Sequence, residues 1–214
     1  MPDFRHYYLK SKHNLLSVLL VSTIFRAYLI SIINMFKKFS AEENISSTSQ
    51  IKNSVQRSIY NQIVEQYPLL ENAIETILPK KSLLVGKASD NIQLLIVNDE
   101  IMFFSTKDGP FYPTLKLLHK YPTMMERMQV DKGAIRFVLG GANIMCPGFT
   151  SKGGNMPDSL AAECPVAIYA EGKENALAIG LIKMSTEDIR KINKGLAVEN
   201  VHYLMDGLWQ TNKL

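Results

Sequence analysis

The chain has 214 residues, 46% of them hydrophobic, with a formal net charge of +4 and a pI near 8.9. Residues 1–34 hold four bases (Arg5, Lys10, Lys12, Arg26) against one acid (Asp3), so the remaining chain is nearly neutral, and a global positive field is excluded as the source of any nucleic-acid binding. Cys146 and Cys164 have neither CxxC nor Cys/His spacing, which argues against a disulfide framework or structural zinc and for a reducing compartment.

The length suits one large or two small cores. At the N-terminus, residues 14–33 read NLLSVLLVSTIFRAYLISII, an apolar run broken by Arg26. A charge near the middle of a span is expensive in a bilayer, and no small-residue cleavage site follows. The pattern favours an extension over 1–34 outside the fold, with the folded chain beginning at Met35; a membrane tether through 14–33 is the alternative.

Ser47 or Thr48 is expected to cap a helix whose stripe is Ile51, Val55, Ile59 and Ile63, ended by Pro68. A second helix fits residues 69–78, with Leu70, Ile74 and Ile77 on one face. Strands are expected over 82–87, 92–97 and 101–106, the last two joined by a tight turn at Asn98-Asp99-Glu100. Lys107-Asp108-Gly109-Pro110 makes another turn, and Pro113 leads into a helix over 114–120. The second half has shorter elements: Asp131 capping a helix over 132–139, Gly140-Gly141 closing it, and a brief strand over 142–146. After a Gly/Pro-rich loop at 151–158 come strands over 164–170 and 176–184. A capping box at Ser185 opens a helix ended by Gly195, and a last strand covers 198–204. The fold class is α+β: an N-terminal α+β unit to about residue 126, then a small mixed β-barrel.

Several segments carry a resemblance. Phe103-Phe104, the run from Gly109 to Pro122 (GPFYPTLKLLHKYP), the run from Val130 to Leu139 (VDKGAIRFVL), Gly141-Ala142-Asn143-Ile144-Met145-Cys146-Pro147-Gly148, Ala170-Glu171-Gly172-Lys173 and the stretch from Asn193 to Trp209 resemble the malignant T-cell-amplified sequence family over residues 35–209. The segments 121–129 and 151–158 depart from its pattern. The resemblance implies a family-specific domain over 35–126 and a PUA domain, an RNA-binding module, over 127–209. It also implies a cytoplasmic, non-catalytic translation factor that pairs with density-regulated protein on the small ribosomal subunit. The implied roles are reinitiation and post-termination release of tRNA and mRNA, with the tRNA acceptor end as a further contact.

Within that frame Gly140, Gly141, Ala142, Asn143, Pro147 and Gly148 are the candidate RNA-binding loop, because glycines admit close approach of a phosphate and can leave amides free to donate. Lys132 and Arg136, four apart, share one helix face, and Lys152 across the loop would complete a phosphate-facing patch. Each is equally readable as ordinary structure: glycines capping a helix, bases on a solvated face. Lys80, Lys81 and Lys87 are better explained by a helix C-terminus. Phe104, Phe111, Tyr112 and Pro113, beside Phe103, are the candidate surface for the protein partner, with Tyr112 expected to be the most exposed; core packing explains the cluster equally well. His202 is expected to be a partly buried structural histidine and Trp209 a staple of the C-terminus to the barrel. No metal, cofactor or catalytic constellation is expected: Cys146 and His119 lack a motif joining them, and no phosphate-binding GxxxxGK[ST] is present. The rival reading is an RNA-binding accessory to a modification enzyme in another chain, since a fold does not fix a function.

Overall fold

The structure, a computed structural model, describes residues 36–106 and 109–214. The extension, Met35, and the turn residues Lys107 and Asp108 lie outside it, so the expectations for them are not addressed. Among the described residues no helix is long and apolar enough to cross a membrane.

The first sheet is an antiparallel meander of β1 (Ile45–Gln50), β2 (Leu83–Ala88), β3 (Ile92–Val97), β4 (Glu100–Ser105) and β5 (Phe111–Pro113), paired in chain order. Its central strands are Leu/Ile/Val-rich and almost wholly buried, as a sheet covered on both faces requires. Asn98 and Asp99 both take positive φ, 50° and 63°, which is the backbone a two-residue hairpin needs.

Three expectations are corrected here. The Ser/Thr-rich segment at 46–49 is not a helix cap: it forms β1, an exposed edge strand paired with β2. The helix α2 (Asn53–Gln66), which follows the single turn α1 (Ala41–Asn44), begins later, after Lys52. It buries Gln56, Ile59, Tyr60 and Ile63, an i, i+3, i+4, i+7 stripe, while Val55 points away and is exposed. The reason is helical phase: at 3.6 residues per turn a strict i, i+4 spacing drifts about 40° with each step, which carries Val55 off the face centred on Ile59, Tyr60 and Ile63. The predicted helix over 69–78 is instead a 3₁₀ turn, Pro68–Leu70, and the short α3 (Ile74–Ile77), though Leu70, Ile74 and Ile77 are buried as expected. Helix α4 (Leu115–Lys120) is capped by Thr114, whose hydroxyl accepts from the Leu117 amide.

The second sheet orders as β6 (Arg127–Val130), β8 (Pro165–Ala170), β9 (Ala178–Ile182), β10 (Leu196–Tyr203) and β7 (Ile144–Met145), with β6 and β8 parallel and the rest antiparallel. Strand β6 falls in a segment given no element from sequence, because its four residues show too short an alternation to register. Between the two outer strands, α5 (Ile135–Leu139) and α6 (Pro147–Thr150) close the side: the Asp131 amide donates to the Gly148 carbonyl at 3.0 Å. Gln129 exchanges backbone bonds with Asn155. Helix α7 (Thr186–Ile192) has the expected cap, Ser185 accepting from the Asp188 amide, but Asn193 in the left-handed region ends it before Gly195.

Two clusters make the core. One fills the second sheet around Met128, Val130, Phe149, Val166, Ile168 and Val198. The other begins under the first sheet and runs on into the second, taking in Ala167, Tyr169, Ile179, Val201 and Leu208. At the junction Phe36 packs edge-on to Phe104 (4.7 Å between centroids) and Phe39 (5.3 Å), and Phe104 stacks on Tyr112 (5.3 Å). The last helix, α8 (Gly207–Gln210), is clamped there, its Gly207 amide donating to the Phe36 carbonyl at 2.7 Å. A Cβ on Gly207 would stand 2.1 Å from the Phe39 carbonyl oxygen, so only glycine fits.

Candidate nucleic-acid interface

The glycine corner between α5 and β7 is built by short, specific bonds. Gly141 has φ of 82°, and a Cβ there would lie 2.9 Å from the Tyr203 ring, so both backbone and packing select glycine. Behind it stands Asn200 of β10, fully buried: its amide nitrogen donates to Asn143 Oδ1 at 3.0 Å, and its Nδ2 donates to the carbonyls of Val138 (3.0 Å) and Ala142 (3.2 Å). The Asn143 carboxamide oxygen is therefore turned inward and holds the loop; it does not face a ligand.

The expectation of free amides fails at three positions. The Gly140 amide donates to the Arg136 and Phe137 carbonyls, that of Gly141 to Val138, and that of Ala142 to Phe137. The loop spends these donors satisfying the last carbonyls of α5, as helix C-termini require. Gly148 is likewise a packing glycine, with Ile144 Cγ2 3.2 Å from where its Cβ would be, and Pro147 opens α6. What the corner offers a ligand is close approach and side chains, not a nest of amides.

Those side chains are exposed. Lys132 and Arg136 are solvent-accessible, as is Lys152 on a loop held from both sides. Gln129 Nε2 donates to the Gly153 carbonyl at 2.8 Å, and Arg190 of α7 donates to the carbonyls of Met156, Pro157 and Asp158. Around the corner lie apolar residues that the sequence pattern did not single out: Phe137 is 53% exposed, Met145 51% and Leu139 38%. The Arg136 guanidinium sits 4.6 Å from the centroid of the Phe137 ring. The available signal was helical phase: Val138 faces the core, so its neighbour Phe137 is turned about 100° away from it.

The second candidate surface does not exist as a surface. Phe104, Phe111, Tyr112 and Pro113 are all buried, and Tyr112, expected to be the most open, is 4% exposed. Burial, with the nearby Glu199 carboxylate adding to it, pushes the Tyr112 hydroxyl well above its ordinary range. These aromatics pack the domain junction instead, where the apolar gain of burial exceeds anything a solvent-facing cluster would return.

The remaining side chains are structural. His202 is buried and hydrogen-bonded through Nδ1 to Asp206 at 2.7 Å, edge-on to both the Phe36 and Phe104 rings. Trp209 meets His119 edge-on and lies under Lys116, whose Nζ also bonds Asn212 at 3.1 Å, so it fastens the C-terminus to α4 of the N-terminal domain and not, as expected, to the barrel. Cys146 and His119 have separate partners: the thiol contacts the Lys194 carbonyl and the imidazole the Ala176 carbonyl. Burial pushes the Cys146 thiol up, opposite to the direction that activates a nucleophile. Lys80 pairs with Glu75 at 2.9 Å on the surface. Among the described residues no group of three potential metal ligands forms.

Comparison with known proteins follows the same division. Residues 39–122 match the Pre-PUA-like domain and residues 126–204 the PUA domain. The chain is 53% identical over 176 residues to malignant T-cell-amplified sequence 1-A of Xenopus laevis, covering 82% of this chain and 97% of that protein. The chain belongs to the malignant T-cell-amplified sequence family. Identity to human malignant T-cell-amplified sequence 2 is 51% over 176 residues, with the same coverage. Translation machinery-associated protein 20 of Eremothecium gossypii is 53% identical over 178 residues, covering 82% of this chain and 97% of that protein. Among solved structures, a hypothetical protein from Pyrococcus horikoshii shares the fold at a TM-score of 0.63 and 24% identity, covering 77% of this chain and 98% of that one. Membership of the malignant T-cell-amplified sequence family, with its PUA domain, makes this an RNA-binding, translation-associated protein.

Proposed function

We propose that the protein is a non-catalytic translation factor of the cytoplasm that binds the small ribosomal subunit together with density-regulated protein, in reinitiation and in release of tRNA and mRNA after termination. The observation that carries it is one open corner of the PUA domain, where Lys132 and Arg136 flank a glycine turn held rigid by Asn200, in a chain half identical to translation machinery-associated proteins. Binding there works by position: cationic side chains on a preformed corner track an RNA backbone, and the preformed loop avoids an ordering cost on association. Ribosomal RNA is the ligand proposed, with the tRNA acceptor end as a second one. The partner's contact is assigned to the exposed face of the N-terminal domain, since the aromatic cluster is closed to it.

The test is co-sedimentation of the full chain with purified small ribosomal subunits, with and without density-regulated protein, across a salt series. Binding that weakens with salt and strengthens with the partner supports the reading. No binding in any condition removes it and favours the accessory to an RNA-modifying enzyme.

A further inference from the structure

Phe137 is the residue at the corner that packing alone does not explain. It sits on a helix of five residues, its neighbour Val138 supplies the core contact, and 53% of it is open to solvent. Leu139 and Met145 are also exposed, so apolar surface collects beside the glycine turn. The cation across the ring is Arg136, a planar group that stacks on aromatic faces and also binds phosphate. Three amides of this corner, those of Gly140, Gly141 and Ala142, are consumed by the helix carbonyls. A ligand therefore meets an aromatic plane with the Arg136 guanidinium over one face, and a turn that a Cβ would obstruct at Gly141.

We propose that Phe137, with Arg136 across its ring, is a stacking shelf for a single unpaired nucleobase of RNA whose backbone runs past Lys132 and the Gly140-Gly141 turn. The proposal rests on the RNA-binding reading above and adds the form of RNA selected. A base offers a π-face of the right size for the open part of the ring, while its phosphate stays beside the cations; stacking of this kind is tolerant of sequence because every base has such a face. A fully paired stem presents no free face, so the shelf discriminates paired from unpaired RNA and leaves base identity largely unread. A protein ligand would also cover an apolar patch, but the Arg136 guanidinium against the ring favours a polyanion with aromatic rings, and Asp131, the carboxylate nearest in sequence, is taken up by the Ala134 amide.

The experiment uses the full chain and two RNA hairpins of identical stem, each closed by a non-nucleosidic linker in place of a loop, one blunt and one with a single unpaired 2-aminopurine beside the stem. The wild-type protein is expected to bind the second more tightly and to quench its fluorescence. Phe137→Ala should weaken binding to the unpaired probe by about 5- to 150-fold, the range for one stacked base, and abolish the quench, with blunt-hairpin binding and thermal midpoint unchanged. Phe137→Tyr should restore both signals, whereas Phe137→Leu, apolar without a π-face, should restore neither. An equal loss on both hairpins, or no loss on either while the wild type still binds with a salt dependence, overturns the shelf and leaves the RNA-binding reading standing. Failure of the wild type to bind either hairpin or the ribosomal subunit removes the reading itself, and the shelf with it. Unchanged RNA binding with lost attachment to the subunit overturns the shelf and reassigns Phe137 to a protein interface.

Discussion

Two regions of this molecule are rich in aromatic and glycine residues, and they are put to opposite uses. At the domain junction the rings of Phe36, Phe39, Phe104 and Tyr112 close on one another and on His202, with nothing left for a ligand. At the corner of the PUA domain one aromatic ring stands half open against the Arg136 guanidinium. A dense aromatic cluster gains most by burying itself, so density in sequence points to a core; a lone aromatic beside a basic residue is the arrangement that stays available.

The widest separation between the regions is expected from truncating one phenylalanine in each. Phe104→Ala, at a fully buried site, should destabilise by about 3–5 kcal/mol in chemical denaturation. Phe137→Ala should stay within about 0.5 kcal/mol of wild type. Similar values for the two would end the distinction. The next effect is smaller and lies within the corner. Gly141→Ala must take φ of 82° and push on the Tyr203 ring, for a loss of about 1–3 kcal/mol, while Gly140→Ala, at φ of −85°, should be close to neutral. Equal costs would mean that the turn is not what fixes the loop.

Charge sharpens the contrast further. Glu199 is 2% exposed on β10, and burial, opposed by Lys183 and reinforced by Glu163, raises its carboxyl above the ordinary range. A raised carboxyl means that the folded state binds the proton more tightly than the unfolded one. The penalty is therefore absent below the unfolded value and grows as pH rises through the folded value. Glu199→Gln should gain stability relative to wild type across that interval, read from denaturation midpoints at a series of pH values; a constant offset would break the assignment. Smallest in stability is the double reversal Lys132→Glu with Arg136→Glu, expected to leave folding within about 0.5 kcal/mol. It should also weaken RNA binding and reduce the salt slope by roughly one for each phosphate that the protein no longer neutralises. An unchanged slope would show that these cations face water only.

Much of the scaffold could be read from residue order. The β3–β4 hairpin was legible because Asn98 and Asp99 tolerate left-handed backbone between two Leu/Ile/Val-rich runs. Ser185 announced its helix because a hydroxyl at that spacing has one evident use, whereas Thr114 was counted inside its helix and proves to be the cap. The hydroxyls at 46–49 carried the same signal and misled, because an edge strand with one face in water needs no apolar alternation, and pairing with β2 is a long-range event. At the site, Lys132, Arg136 and the glycines were legible, but their wiring was not: Asn200 lies 57 residues from Asn143, and only the closed sheet brings it behind the loop. Burial of Tyr112 depends on which domain face meets the other, a fact that no local window contains.

The clasp between Gly207 and the Phe36–Phe39 turn also fastens one end of the described fold to the other. A local opening at either end therefore frees both: once the Gly207 amide leaves the Phe36 carbonyl, the turn loses a neighbour and α8 loses its anchor. The two segments should exchange their amide hydrogens as one cooperative unit, although most of the described chain separates them.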